Sequence, residues 1–170
     1  MNYLISTENL KKQGLIHMNT DTKLLTVAIR RSQDMHLQPA LGTPLYKELL
    51  RRVGANDWAN ADYVKLMDDY VLPCLVAFVD YRCAMLLNNK ITNKGVGRQD
   101  DDTMTPNNQA ETDEFRDQLR KDAYFYKERL IGYLKDDCGV KYPEYTEAIT
   151  ATNESVRKDN TGYSPLNWIV

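Results

Sequence analysis

The residues of this chain that could bind a metal are few and poorly spaced for that purpose. Its two histidines, His17 and His36, have no cysteine or carboxylate at a ligand spacing, and its three cysteines form no CxxC pair. Cys74 and Cys83 lie nine residues apart in one helical stretch. They would be about 13 Å apart along its axis, too far for a disulfide. We therefore predict no metal, no cofactor and thiols that stay reduced in an intracellular compartment.

Two further segments have residue types that can bind ions or phosphates. The run Asp100-Asp101-Asp102 offers oxygen ligands for Mg²⁺ or Ca²⁺, but it lacks the spacing of a known binding loop. A solvated acidic turn is the simpler interpretation. If copies of the chain were arranged around a channel, such turns could line it. The run Gly95-Val96-Gly97-Arg98 lacks the third glycine or the Lys-Ser/Thr pair of a phosphate loop. With no nucleophile elbow and no isolated pair of acids, the sequence predicts a protein that is not an enzyme.

A basic cluster on the second predicted helix has three interpretations. Lys47, Arg51 and Arg52 together with the preceding helix superficially resemble a helix-turn-helix with a basic reader helix at 44–53. A solvated helix face is the second interpretation. The third is that the arginines form bidentate ion pairs with Asp68 or Asp69 of a neighbouring subunit.

Two charges interrupt the most apolar helix. Asp80 and Arg82 lie two residues apart and therefore do not face each other. Because buried charges are unfavourable unless they are paired, we expect a separate partner for each, one of them across a subunit boundary. The alternative is a core edge that is open to solvent.

Bulk composition restricts the class of protein. A chain of 170 residues suits one domain with one or two appendages. Its net charge of −2 and pI near 5.7 give no global basic field, which argues against a free-standing binder of duplex DNA or of an anionic membrane. No signal peptide is evident. The apolar run 70–87 contains a proline and two charges, which favours a buried helix over a membrane span.

The periodicity predicts an all-α fold: a bundle of about four helices with a long inter-helix loop and an extended C-terminal tail. Residues 1–19 are interpreted as a partly extended leader. Pro39 and Gly42 should end the first helix, Thr43-Pro44 should begin the second, Gly54 should close it, and Pro73 should kink or split the third. The predicted helices run from about Thr22 to His36, from Pro44 to Val53, from Asn60 toward Asn89 and from Gln109 to Asp137, where Gly139 closes the last one.

The long loop and the tail are predicted to be assembly arms. The loop spans 90–108 between the third and fourth helices and could contain a hairpin of Ile91-Thr92 with Gly95-Val96. We divide the chain into a helical domain, 1–139, and an extended arm, 140–170. The apolar stripe of the fourth helix, which begins at Phe115, should face the core. The arm has too few apolar residues to fold alone, so its aromatic residues should dock onto something else.

A set of short motifs resembles a known family. Ile29-Arg30-Arg31-Ser32-Gln33-Asp34 leads into Leu37-Gln38-Pro39-Ala40-Leu41-Gly42-Thr43-Pro44-Leu45-Tyr46, and Tyr133-Leu134 is followed after a turn by Tyr142-Pro143-Glu144-Tyr145. A loop containing glycine and asparagine, 93–97, lies between the two long helices. In this order and spacing the motifs resemble the helical head–tail connector, or ring, proteins of tailed phages, particularly crAss-like and related Bacteroidales phages. The resemblance covers residues 4–145.

The resemblance implies a structural virion protein in the neck or tail, synthesised in the host cytoplasm. It implies a homo-oligomeric ring of about twelve copies that contacts the portal protein and further tail or ring proteins. Double-stranded DNA would pass through the lumen without sequence-specific binding, and no membrane is involved. A regulator that binds DNA through the helix at 44–53 is the alternative. The predicted interface residues are Lys47, Arg51, Lys94, Arg98, Tyr142, Tyr145, Tyr163, Leu166, Trp168 and Ile169.

Deletion of residues 146–170 tests the predicted assembly arm. We expect the shortened protein to lose ring or partner assembly, because aromatic anchors such as Tyr163 and Trp168 are typical interface hot spots. Its circular dichroism spectrum should remain helical. A truncated protein that unfolds would show instead that the tail belongs to the core.

Overall fold

Four helical rods and one short N-terminal helix make up most of the structure. A computed structural model describes residues 3–87, 89–92, 95–98, 109–136 and 140–145. The short helix is α1 (Thr7–Gln13). The first rod is α2 (Thr22–Ser32), which continues through a first π turn (Gln33–Leu37) into α3 (Gln38–Leu41). The second rod is α4 (Thr43–Ala55). The third is α5 (Ala61–Leu66), which continues through a second π turn (Met67–Val71) into α6 (Leu72–Leu87), and the fourth is α7 (Gln109–Asp136).

The N-terminal segment is helical, which corrects the expectation of a partly extended leader over residues 1–19. The Ser6 side chain caps α1 by accepting a hydrogen bond from the Asn9 backbone N–H at 3.1 Å. Leu10 is fully buried, and Leu4, Ile5 and Ile16 around the helix are buried with it. A helix of seven residues with one buried side chain is too short to give a periodic signal, so the sequence pattern missed it.

Pro39 and Pro73, which lie well inside continuous rods, each follow a π turn. A helical proline lacks an N–H, and its ring clashes with the carbonyl four residues earlier. The Gln38 N–H bonds to the Gln33 carbonyl and the Leu72 N–H to the Met67 carbonyl, both five residues back, immediately before Pro39 and Pro73. The wider turns make room for the rings. The prediction that Pro39 ends the first helix is therefore wrong, whereas the α-helical bonding of the third rod is interrupted just before Pro73.

Two residues with positive φ delimit α4. Gly42 ends the preceding rod and caps α4 at φ 75° and ψ 153°, so the predicted start at Thr43-Pro44 was one residue late for the cap. The helix ends at Asn56, which lies in the left-handed region at φ 52°. The Asp57 N–H then bonds to the Arg52 carbonyl at 3.0 Å. The prediction that Gly54 closes this helix is wrong, because asparagine also tolerates that conformation.

The core of the bundle is α6 with the rods beside it. Asn60 caps α5, as predicted, by accepting from the Asp62 N–H at 2.9 Å. Most of the tertiary contacts of α6 are with α7 and α2. Its buried side chains include Cys74, Leu75, Phe78, Val79 and Cys83. Cys74 and Cys83 are free thiols, as expected.

The long last helix has the predicted bounds to within one residue at its C-terminal end. Its buried apolar side chains are Leu119, Ala123, Leu130 and Leu134, and Lys127 is buried as well. Phe115 was expected at the start of this stripe but is 54% exposed, because burial along α7 begins one turn later, at Leu119.

Part of the inter-helix loop forms the hairpin that the sequence suggested. Strands β1 (Asn89–Thr92) and β2 (Gly95–Arg98) are antiparallel, and Ile91 pairs with Val96 and Thr92 with Gly95. The acidic run 100–102 and Gly139 lie outside the described residues. The prediction of an all-α bundle of about four helices is confirmed, with α1 and this hairpin added to it.

No helix among the described residues combines the length and the hydropathy that crossing a membrane would require.

Substitution of Gly42 tests the joint between α3 and α4. We expect Gly42→Ala to lower the free energy of unfolding by about 1–3 kcal/mol, because its backbone region is accessible almost only to glycine. Gly132→Ala is the matched control: an added Cβ at Gly132 in α7 meets nothing within 4 Å. That change should be neutral or stabilise the helix by up to about 1 kcal/mol. Urea unfolding of both variants measures the difference, and equal effects would contradict the assignment.

Candidate functional site

The basic cluster of α4 is paired within its own subunit. Arg51 binds Glu48 at 2.7 Å and Asp57 at 3.0 Å, and Arg52 binds Glu48 at 2.8 Å. The Arg52 guanidinium also lies 3.8 Å from the centroid of the Tyr63 ring, and its side chain is only 13% exposed. These contacts favour pairing within the subunit over the interpretation in which the arginines pair with Asp68 or Asp69 of a neighbour.

Lys47 and Arg51 are both exposed, the Arg51 side chain to 53%. Of the three predicted DNA-reading cations, the two arginines are paired with carboxylates, whereas Lys47 has no ion pair with the described residues. A reader helix needs several free cations to neutralise phosphates. Of the three cations that the helix-turn-helix interpretation assigns to DNA contacts, only Lys47 is therefore free of an ion pair with the described residues.

The start of the predicted C-terminal arm belongs to the core. Tyr142 and Tyr145 are each 1% exposed. The Tyr142 hydroxyl donates to the Asp62 carbonyl at 2.8 Å, and its ring packs edge-on against Tyr63. The Tyr63 hydroxyl in turn donates to Glu144 at 2.7 Å. The domain boundary at 139/140 and the interface roles of these two tyrosines are therefore corrected: both rings fill the end of their own bundle.

The remaining predicted interface residues are not placed by the structure. Arg98 lies at the end of β2, where only the backbone is described. Lys94 and the four residues Tyr163, Leu166, Trp168 and Ile169 lie outside the described residues. Their interface roles stay predictions.

Asp80 is a buried carboxylate, and only one of its two oxygens accepts a hydrogen bond from the described residues. The residue is 8% exposed, its Oδ2 accepts the Leu15 backbone N–H at 3.1 Å, and its Oδ1 has no partner. Gly14 makes this packing possible, since an added Cβ there would come within 2.8 Å of Oδ1. Burial raises the pKa of the Asp80 carboxyl to about 6, although the hydrogen bond from Leu15 opposes the rise. The carboxyl is therefore mainly charged at neutral pH, and no cation among the described residues compensates it.

A cavity of about 350 Å³ opens beside Asp80, and we call it the acidic pocket. Asp80 and the exposed Asp122 of α7 supply its acidic groups. Leu15, at its edge, is 73% exposed. The walls are mainly apolar and include Pro73, Val76, Ala77 and Leu119. Such a cavity suits a long side chain with an apolar stem and a cationic end.

Arg82 lies in a second, positively charged environment. Its guanidinium contacts the Met35 sulfur at 3.3 Å and His36 Nε2 at 3.2 Å, while its Nε is buried without a partner. Burial, with Arg31 nearby, lowers the pKa of Arg82. Burial also lowers the pKa of His36 to about 4, assisted by Arg82 and Lys127, so the imidazole is neutral and can accept from Arg82. Asp80 and Arg82 thus have separate partners, as predicted, whereas a partner across a subunit boundary stays a prediction.

We call the surface formed by Arg31, Arg82, Val27 and Met35 the cationic face. Arg31 is exposed on α2 and makes no hydrogen bond or ion pair with the described residues. Val27 and Met35 lie one turn to either side of it and are 40% and 59% exposed. The face thus combines unpaired positive charge with apolar side chains in solvent.

Sequence reasoning found the two charges of α6 but not their surroundings. Leu15 and Gly14 lie between helices, where no periodicity indicates burial, and the cavity forms only when that loop packs against α6 and α7. Gln33 was noted only as part of a motif. It is buried, accepts from the Leu4 N–H at 3.0 Å and donates to the Tyr46 hydroxyl at 3.0 Å. The described residues contain no cluster of His, Cys, Asp and Glu arranged to hold a metal ion.

The fold and these surfaces define a small helical bundle with two charged, partly apolar surfaces. The model of a family of unknown function, DUF6712, matches residues 37–155 of this chain. The match covers well over half of the 170 residues, so the protein belongs to this family. No curated protein and no solved structure matches the chain significantly.

Replacing Asp80 with asparagine tests the strain of the buried charge. A raised carboxyl pKa means that the folded state loses stability as pH rises from 3.8 to about 6. We expect Asp80→Asn to unfold at a higher temperature than the unchanged protein above that window, because its amide oxygen can still accept from Leu15. The gain should vanish below pH 3.8, where the carboxyl is neutral in both states.

Thermal unfolding across this pH range, at a protein concentration that keeps the chain monomeric, measures the effect. Asp69→Asn, an exposed change on the same rod, is the control and should show no such gain. A loss of stability in Asp80→Asn near neutral pH would show that the charged hydrogen bond outweighs desolvation.

Proposed function

We propose that this protein is a structural component of a tailed-phage virion that forms a ring between the portal and the tail. The ring lines the passage for DNA and offers a docking face to further tail proteins. In this proposal the protein acts by assembly and carries out no catalysis. Its place is the neck of the virion, and about twelve copies close the ring.

The observation that carries an assembly role is the set of large apolar side chains that the bundle leaves in solvent. Leu15, Met35 and Phe115 are each more than half exposed, as is Phe125 on α7. Apolar residues that occur singly on a surface need no explanation, but Leu15 lines the acidic pocket and Met35 contacts Arg82 at the cationic face. Interfaces combine such apolar groups with a few well-placed charges.

The connector type is supported by where the family-like motif lies in the fold. The residues of this motif from Gln33 to Tyr46 form the first π turn, α3 and the start of α4. Leu37, Leu41 and Leu45 are fully buried there. These residues therefore specify a scaffold joint, as expected for a resemblance that concerns architecture.

The charge distribution suits a conduit that lets DNA slide. The net charge is −2, and both arginines of α4 are paired with acids. A net negative charge gives DNA phosphates no overall attraction to the protein, which favours easy release of the duplex. The same pairing makes a sequence-reading regulator the weaker candidate.

Electron microscopy and native mass spectrometry of the purified full-length chain test this function. We expect closed rings of one defined subunit number, because heterologous contacts close at the number that their rotation sets. A compact monomer that stays monomeric at high concentration would contradict the proposal. If that monomer bound duplex DNA and lost affinity on Lys47→Ala, the regulator would replace it.

A further inference from the structure

Asp80 and Arg82 direct opposite charges to opposite sides of α6. Two residues along an α-helix correspond to a rotation of about 200°. The Asp80 side is covered by Leu15 and α7 and contains the acidic pocket. The Arg82 side contacts Met35 and His36 of the first π turn and contains the cationic face. One helix thus separates two surfaces of opposite sign.

Among the described residues, no cation lies beside Asp80 in the acidic pocket. In that part of the chain the Leu15 backbone N–H is the one group that favours the charged form of Asp80, and Oδ1 has no donor. Asp122 adds a second negative charge at the same cavity, and its described side-chain bond is to the neutral Gln118 amide at 2.9 Å. Leaving a buried carboxylate so poorly compensated is unfavourable.

The cationic face, in turn, has no carboxylate partner for Arg82 or Arg31 among the described residues. The described side-chain partners of Arg82 are the Met35 sulfur and the neutral His36 imidazole. Among charged groups, the like charge of Arg31 has the largest effect on the Arg82 pKa, which it lowers. Arg31 itself extends into solvent between Val27 and Met35. A guanidinium with a free fork is the group best suited to a carboxylate.

We infer that the cationic face of one copy docks on the acidic pocket of a second copy, with Arg31 entering the cavity. Its aliphatic stem lies along the apolar walls, and its guanidinium meets the carboxylates of Asp122 and Asp80. Leu15 of the receiving copy packs against Val27 and Met35 of the entering one. The inference rests on the proposed function only in that the chain must assemble with copies of itself.

This contact is heterologous, because two different surfaces meet. After one such contact each pair of copies still has a free pocket at one end and a free cationic face at the other. The same contact repeats until the rotation closes a ring. An isologous dimer would require one partner to engage both surfaces at once, and it is disfavoured because the two surfaces lie on opposite sides of α6.

Two full-length variants with opposite defects test the inference. The pocket variant is Asp80→Asn with Leu15→Ser, and the cation variant is Arg31→Gln with Arg82→Gln. Both remove groups that the monomer leaves exposed or poorly paired, so both should keep a helical circular dichroism spectrum. Each should raise the dissociation constant for self-association at least about 30-fold, the effect of losing one side of a buried charge pair. The exposed changes Lys23→Gln on α2 and Glu128→Gln on α7 are controls and should assemble normally.

Mixing the two variants distinguishes this contact from any other. The pocket variant retains an intact cationic face and the cation variant an intact pocket. Native mass spectrometry of the mixture should show a one-to-one heterodimer and no ring. A mixture that stays monomeric, or that forms complete rings, would overturn the inference.

If the unchanged protein forms rings and both variants do so equally well, the docking is wrong while the ring function stands. An unchanged protein that never associates would overturn both.

Discussion

Burial of α6 on nearly every side is the constraint on which the rest of the bundle depends. The helix supplies Leu75, Phe78 and Val79 to the core, all of them fully buried. Because α2 and α7 cover it from different directions, neither rod can move without exposing part of it. The second π turn makes this arrangement compatible with Pro73 at the start of the helix, since the wider turn accommodates the ring and the rod continues.

Much of this architecture was predictable because it depends on local pattern. The helix of 28 residues, α7, shows its apolar stripe over many turns, and Asn60 is a strong capping residue before an apolar run. Features that depend on tertiary packing were not predictable. Proline normally indicates the end of a helix. Pro39 lies within a rod because the preceding π turn accommodates its ring, and nothing in the local sequence pattern indicates that turn.

The candidate site divides in the same way. That Asp80 and Arg82 need separate partners followed from helical geometry alone. The acidic pocket did not, because its walls come from the α1–α2 connection, α6 and α7, which are far apart in sequence. Tyr142 and Tyr145 show the opposite error: a polar, aromatic C-terminal segment has the composition of an arm, yet its first tyrosines complete the core. Composition describes what a segment can bury but not against which surface.

The attachment of the N-terminal segment has a consequence for the order in which the chain folds. Its backbone is held by two side-chain acceptors, Gln33 for the Leu4 N–H and Asp80 for the Leu15 N–H, at sequence separations of 29 and 65 residues. Neither acceptor is in position until the rods that carry it have packed. The segment therefore docks late, and it forms a cooperative unit that opens before the bundle does. We therefore expect the amide protons of α1 to exchange with solvent sooner than those of α6, although both helices contain fully buried side chains.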